Sequence, residues 1–441
     1  MNVRVLAWRV LRAHHATPIR LAEAVAERAR LSGRDRRLLL TLVGIELRRR
    51  GTLNTLVRHF SRGQADTAVG AHIALGLIQA FLLDRIPDHA VVAESVRACR
   101  ITLGERHGRT VEIALKAALG SRMRGHTNDL RRDLPLRDVA FANAIFHDPK
   151  EHPLLWAEEA LSMPVPLVKR WLRRYGEETA FTLARGALEE PDLSVRVVQG
   201  ERDAVMTELA SVGLGARLGE HARIVLVPHR QSTQLLRVPA FREGRITIQG
   251  ETALRAAELV DARPGERILD LCAAPGGKTA VLAAAGVHVV ARDVDEKRVA
   301  RITNTLERLQ LQSNVTLSVG RGTEGLEPAS FDAVLVDAPC SNTGVLGKRP
   351  AARWRFSNAS QTELGAIQTA LLADGARCVR PGGRLVYSTC SIEPEENQRR
   401  VKAFLESHPE FTLEAELDAL PQTRQPRGPM DGGYAARLRR A

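Results

Sequence analysis

The sequence predicts a multidomain protein: an all-α bundle, then a small α+β module, then an α/β domain with a Rossmann-like sheet. Three observations lead there. The 441 residues are too many for one ordinary hydrophobic core. Apolar residues recur at helical spacing up to about residue 150, with few β-branched clusters. Beyond about residue 250, short apolar runs alternate with helical segments in the βαβ rhythm of a doubly wound parallel sheet. The expected domains are therefore 1–150, 151–248 and 249–441.

In the first domain Val5, Leu6, Val10 and Leu11 mark one helical face, and Leu38, Leu39, Leu42, Val43 and Ile45 another. Ser32 precedes Gly33-Arg34-Asp35 as an N-cap would, and Ile86-Pro87-Asp88-His89 breaks one helix and starts the next. The stretch reads as helical throughout, which is the pattern of a bundle. Helices continue to about residue 187, with Pro153, Pro164 and Pro166 near their starts. Strands then follow at Leu193–Val198, Ile224–Val227 and Arg245–Ile248. In the third domain the expected strands are Arg267–Leu271, His288–Val294, Val315–Val319, Phe331–Asp337 and Arg384–Ser388. Helices are expected at Glu296–Leu309 and Gln361–Cys378, late edge strands at Phe411–Leu413 and Tyr434–Leu438, and a loop over Pro421–Pro429.

Composition narrows the function. With 44% hydrophobic and 26% charged residues the chain is an ordinary soluble globular protein. Its net charge is +13, and Arg far outnumbers Lys. A basic excess of that size favours a polyanionic partner, nucleic acid first among them, although Arg placed at solvated positions would produce the same balance. The five cysteines contain no CxxC pair and none has His at zinc spacing, so neither a disulfide framework nor a metal site is expected. No apolar run reaches membrane-spanning length, and the N-terminus reads as an amphipathic helix without a signal-peptide core. The expectation is a cytoplasmic monomer with no membrane contact.

The chemistry gathers at three strand ends. Ile268-Leu269-Asp270-Leu271 runs into Cys272-Ala273-Ala274-Pro275-Gly276-Gly277-Lys278-Thr279. Two glycines let backbone approach a ligand, and the helix that follows offers free N–H groups. A phosphate loop would need glycine where Cys272 stands, and the NAD fingerprint G-x-G-x-x-G is absent, so another nucleoside ligand remains. Asp293, about 20 residues on, is placed to accept from ribose hydroxyls; capping the next helix is the alternative, which Asp295 could serve instead. Cys340 in Asp337-Ala338-Pro339-Cys340 and Cys390 in Ser388-Thr389-Cys390-Ser391 each follow a strand. A lone buried Cys is usually inert, but two at strand ends facing a Gly-rich turn suggest a nucleophile opposite a cofactor. Cys99 and Cys378 sit in helical patterns and read as core, and Cys272 as a lining of the turn.

These motifs in this order, with Pro394-Glu395-Glu396-Asn397, resemble the Sun family of S-adenosylmethionine-dependent RNA cytosine-C5 methyltransferases. Arg34-Asp35-Arg36, Arg85-Ile86-Pro87 and Ala142-Asn143-Ala144 resemble signatures of the RNA-binding domain typified by the antitermination factor NusB. The resemblance implies S-adenosyl-L-methionine held by Cys272, Ala273, Ala274, Pro275, Gly276, Gly277, Lys278, Asp293 and Asp337, with RNA, ribosomal RNA foremost, as substrate. It implies that Cys390 attacks cytosine C6, that Cys340 assists product release and that Asp337 contacts the base. Chemically, a thiolate added at C6 makes C5 enamine-like and able to take a methyl group. Such a thiolate calls for a depressed pKa at Cys390. Lys278 could meet the cofactor carboxylate or an RNA phosphate. The stretch Lys348–Arg355 suits an RNA backbone and an unstacked base, unless Trp354 anchors a core instead. The chain departs from the family where Arg321 and Gly250 replace usual aspartates and Ala351 replaces an acidic residue. Two other readings stay open: a ribosome-assembly factor with an impaired methyltransferase domain, and the same chemistry on transfer RNA.

Overall fold

A computed structural model describes residues 2–421 and 431–441. Most of the loop expected over Pro421–Pro429 lies outside the described residues. Two compact units divide the chain: Met1–Glu189 together with Arg353–Arg355, and Glu190–Ala352 together with Phe356–Ala441.

The first unit holds helices α1 (Val3–Arg12), α2 (Pro18–Arg28), α3 (Gly33–Phe60), α4 (Thr67–Phe81), α5 (Asp88–Leu103), α6 (Glu105–Ser121), α7 (Pro153–Ala160) and α8 (Val165–Gly186). Ser32 does cap α3, its side chain accepting from Asp35 N–H at 3.2 Å. The helical reading of the first 150 residues fails from Arg122 to His152, where the chain runs in turns and two short strands. Strands β1 (Arg122–Arg124) and β2 (Val139–Phe141) pair antiparallel. Three residues are too few to show a two-residue alternation. The segment Arg353–Arg355 is built into this unit's interior. Arg353 is fully buried and donates to the carbonyls of Arg48, Ser162 and Ala187, at 3.4, 3.3 and 2.7 Å. Trp354 Nε1 donates to Leu47 O at 2.7 Å, and the Arg50 guanidinium lies over its ring. Of the two roles considered for Trp354, the structure selects the core anchor.

The second unit begins with β3 (Leu193–Val197), α9 (Arg202–Ser211), β4 (Arg217–Leu218), β5 (Ile224–Val227), α10 (Ser232–Leu235), α11 (Pro239–Arg242) and β6 (Ile246–Ile248). The strands form an antiparallel sheet in the order β4-β5-β3-β6. Then come α12 (Glu251–Glu258), β7 (Arg267–Leu271), α13 (Gly277–Ala283), β8 (His288–Asp293), α14 (Glu296–Leu309), β9 (Val315–Val319) and β10 (Phe331–Asp337). The chain ends with α15 (Asn358–Cys378), β11 (Val379–Thr389), α16 (Gln398–Ser407), β12 (Phe411–Ala419) and β13 (Gly433–Arg440). Arg308 on α14 ties the small sheet to the large one, donating to Phe241 O, Ile246 O and Thr247 Oγ1 at 2.9, 2.9 and 2.7 Å.

The large sheet runs β12-β13-β11-β10-β7-β8-β9, with β7 to β11 parallel and the last two strands antiparallel. Both of its faces are covered, which is why its strands are nearly continuous Val, Leu and Ile. Val334, Val336, Leu385 and Tyr387 pack under α15 and α16. Ile268, Val289, Ala333 and Leu335 pack under α13 and α14. Each fully buried branched side chain contributes roughly 1.5–3 kcal/mol of transfer free energy. Strand order reverses between β7 and β10, the switch point at whose carboxyl ends an open α/β sheet places its ligand crevice.

Candidate active site

The turn after β7 opens the crevice. Gly276 stands at φ +95°, where a Cβ would lie 3.1 Å from Ile302, so this position needs glycine. Beneath it Asp270 is fully buried; Thr279 Oγ1 donates to its Oδ2 at 2.7 Å, and its Oδ1 has no partner. Burial pushes its pKa up to about 7, against the Thr279 hydrogen bond. Cys272 also lines the turn, at φ +61°.

Asp293 ends β8 and is buried. Ala274 N–H donates to its Oδ2 at 2.9 Å and Val294 N–H to its Oδ1 at 2.7 Å. Arg298 pairs with both oxygens. Capping of α14 falls to Asp295, which accepts from Arg298 N–H at 2.9 Å. Asp293 is thus held at the crevice by the turn itself, with the half-exposed Arg298 over it.

The thiols follow β10 and β11, neighbours in register. Cys340 Sγ lies 3.2 Å from Cys390 Sγ, and both are free thiols. Asp337 accepts from Ser388 Oγ at 2.9 Å and pairs with Lys278 Nζ at 2.7 Å. Lys278 therefore faces a carboxylate of its own chain. Burial works against its charge, but Asp337 outweighs that and raises its pKa. The hydrogen bond from Cys340 lowers the pKa of Cys390 against burial, helped by Arg349 and Lys278. The same bond, and burial, push Cys340 well above an ordinary thiol. One sulfur is readied as a thiolate and the other kept protonated.

Residues outside the predicted site set hold the pair. Asn342, at φ +62°, donates from Nδ2 to Cys340 O at 2.7 Å; its Oδ1 accepts from Cys390 Sγ at 3.3 Å and from Arg349 at 2.7 Å. Buried Glu396 accepts from Ser341 N–H, Gln361 and Gln368 at 2.9, 2.8 and 3.2 Å. Asn397 donates to Ser391 O at 2.8 Å and accepts from Thr389 Oγ1 at 2.6 Å. The Pro394–Asn397 motif thereby fixes both thiol loops. The αL preference of Asn was the one hint of Asn342.

Of the three departures from the family motif, the one at Gly250 has a structural counterpart. A Cβ at Gly250 would sit 2.2 Å from Asp431 Oδ2, so a carboxylate from the far end of the chain occupies that space, paired with Lys348 Nζ at 2.6 Å. Arg321 is exposed, whereas Arg292, which packs against Gly320, is buried and donates to Ser318 Oγ at 2.8 Å and Glu324 O at 2.7 Å. Of the basic stretch Lys348–Arg355, then, Lys348, Arg349 and Arg353 are all engaged within the protein.

A doubly wound sheet with a Gly-turn crevice at its switch point defines the class: an S-adenosylmethionine-dependent methyltransferase fold. The donor set fits that cofactor. Asp270, Asp293 and Asp337 lie near a turn rich in backbone N–H groups, a set of acceptors and donors that suits a nucleoside ligand carrying sulfonium and ammonium charges. Residues 257–427 match the family 16S rRNA methyltransferase RsmB/F, and residues 1–111 match the NusB family. These matches give the chain a NusB-type domain followed by a methyltransferase domain of the RsmB/F type. Over 199 residues it is 42% identical to the ribosomal RNA small subunit methyltransferase B of Yersinia pseudotuberculosis serotype O:1b (strain IP 31758) and of Yersinia pestis. The match covers 44% of this chain and 46% of each relative, so the chain spans about half the length of the curated relatives it matches. The crystal structure of PH0851 covers 99% of this chain and 98% of its own at a TM-score of 0.75 and 24% identity, a likeness of fold. A methyltransferase homolog from Pyrococcus horikoshii has a TM-score of 0.55 and 25% identity, covering 66% of this chain and 99% of its own.

Proposed function

We propose that the protein is an S-adenosylmethionine-dependent methyltransferase of 16S ribosomal RNA that acts at cytosine C5 through a covalent cysteine adduct. The observation that carries this reading is the sulfur pair, 3.2 Å apart at the ends of adjacent strands and beside Asp337. Residues 1–150 would bind RNA, 151–248 link, and 249–441 perform the transfer.

Cys390, as thiolate, adds to C6 of an unstacked cytosine, and the electron pair displaced from the C5–C6 double bond makes C5 nucleophilic. Asp337 faces the ring and stabilises the charge that develops near N3. The cofactor, when bound, supplies an electrophilic methyl group. Asp270, Asp293 and the Cys272–Lys278 turn would hold it. Once Cys390 is in the adduct, its hydrogen bond to Cys340 is gone, and with it the largest cause of the raised Cys340 pKa. Cys340 can then ionise and take the C5 proton, and the C5 electron pair re-forms the double bond as Cys390 leaves.

The test is Cys340→Ala incubated with ribosomal RNA and cofactor. The expected result is a protein–RNA adduct that survives denaturing electrophoresis and is absent when Cys390→Ala is added. Labelled product that is not 5-methylcytosine would sink the base assignment.

A further inference from the structure

We propose that Arg349, acting through Asn342, is a positioning residue that keeps Cys390 nucleophilic. The proposal rests on the reading of Cys390 as the attacking sulfur. Asn342 is fixed at both ends of its amide: Nδ2 on Cys340 O at 2.7 Å, Oδ1 under the Arg349 guanidinium at 2.7 Å. Cys390 Sγ lies 3.3 Å from that same oxygen. While the thiol is protonated, its S–H can donate there. When the proton leaves to water, a bare amide oxygen would face a thiolate, and the two negative ends would repel. A guanidinium bound to the oxygen offsets that repulsion and brings a full positive charge to the pair. The amide cannot turn its NH₂ to the sulfur instead, because Cys340 O already holds it.

Other charges reach Cys390 from several elements. Lys278 at the start of α13 and Asp337 at the end of β10 are paired, so their effects on the sulfur largely cancel. Cys340 donates from the same loop as Arg349, and buried Glu396 acts on Cys340 from the segment before α16. Lys348 is consumed by Asp431. Arg349 is the cation that the loop presents to the thiol through a hydrogen-bonded intermediary.

Iodoacetamide alkylation of Cys390 in the full chain tests this, followed by peptide mass spectrometry across pH and without RNA or cofactor. Each reaction forms one S–C bond and releases iodide, so the rate follows the thiolate fraction. Arg349→Ala should shift the Cys390 profile to higher pH and slow alkylation near neutrality by about 3- to 10-fold. Arg349→Lys should recover most of the rate, and added salt should narrow the difference because Arg349 is exposed. Asn342→Gly, which keeps the left-handed backbone free of strain, should shift the profile in the same direction, and the double variant should go no further. An Arg349→Ala profile that overlays the wild type overturns the proposal, whatever the enzyme does with RNA. A double variant that shifts by the sum of the two singles overturns the route through Asn342. A shifted profile combined with undiminished methyl transfer by Cys390→Ala would instead remove the catalytic reading and leave the charge coupling intact.

Discussion

Cys272 and Cys390 follow two strands of one sheet, separated by β10, and both feel the charge of the same carboxylate, Asp337. Their pKa values are shifted in opposite directions. Around Cys272, burial comes first and the carboxylates of Asp337, Asp293 and Asp270 add to it, so the thiol is pushed up to about 12. Around Cys390, the Cys340 hydrogen bond comes first and overcomes burial, with Arg349 and Lys278 on its side. Position at a strand end therefore does not make a nucleophile. A donor on the sulfur and cations nearby favour the thiolate, whereas burial and neighbouring carboxylates oppose it.

The largest expected effect breaks the comparison outright. Cys390→Ala should lower labelled-methyl incorporation into ribosomal RNA by at least ~10³-fold, whereas Cys272→Ala should cost only a few-fold through KM for the cofactor. The reverse order would exchange their roles. Next comes Glu396→Ala. It orphans Ser341 N–H and two glutamine amides in a buried site, and urea unfolding should show a loss of about 2–4 kcal/mol. The same variant should bring Cys390 alkylation towards that of an ordinary thiol, because the loop carrying Cys340 loses its anchor. The smallest effect sharpens the contrast. A thiol whose pKa is lowered keeps its thiolate below the ordinary 9.0 and loses it only as pH falls through the lowered value. Alkylation should therefore reach Cys390 near neutrality and leave Cys272 untouched until strongly alkaline pH. Lys278→Met should move the Cys390 profile upward by a fraction of a pH unit, roughly 2- to 5-fold in rate, because Asp337 is then unpaired beside the sulfur.

Much of this fold was legible in the chain. The β7 to β10 strands and α14 stand where apolar runs and caps placed them, because a sheet covered on both faces needs unbroken apolar strands. The edge strands β12 and β13 are longer than expected, since antiparallel pairing at the edge carries polar residues that no apolar run marks. The β1–β2 hairpin was missed for want of length. The site was legible in its parts: the Gly turn, Asp293, Asp337 and the two thiols. Its wiring was not. Arg298 over Asp293, Asp431 in the space left by Gly250, Asn342 between Arg349 and Cys390, and Arg353 among three carbonyls are contacts that residue identity does not announce.

By itself the sequence determined the order of elements, the strand ends at which chemistry could occur and the family that its motifs resemble. Those follow from local periodicity and from short motifs read within a few residues. Only the tertiary structure decided how the two thiols meet, which basic residues are spent on the protein's own carbonyls and carboxylates, and which carboxylate fills the space beside Gly250. Such matters turn on charges and donors brought within about 3–4 Å from distant parts of the chain, and electrostatic energy at that range depends on distance and burial.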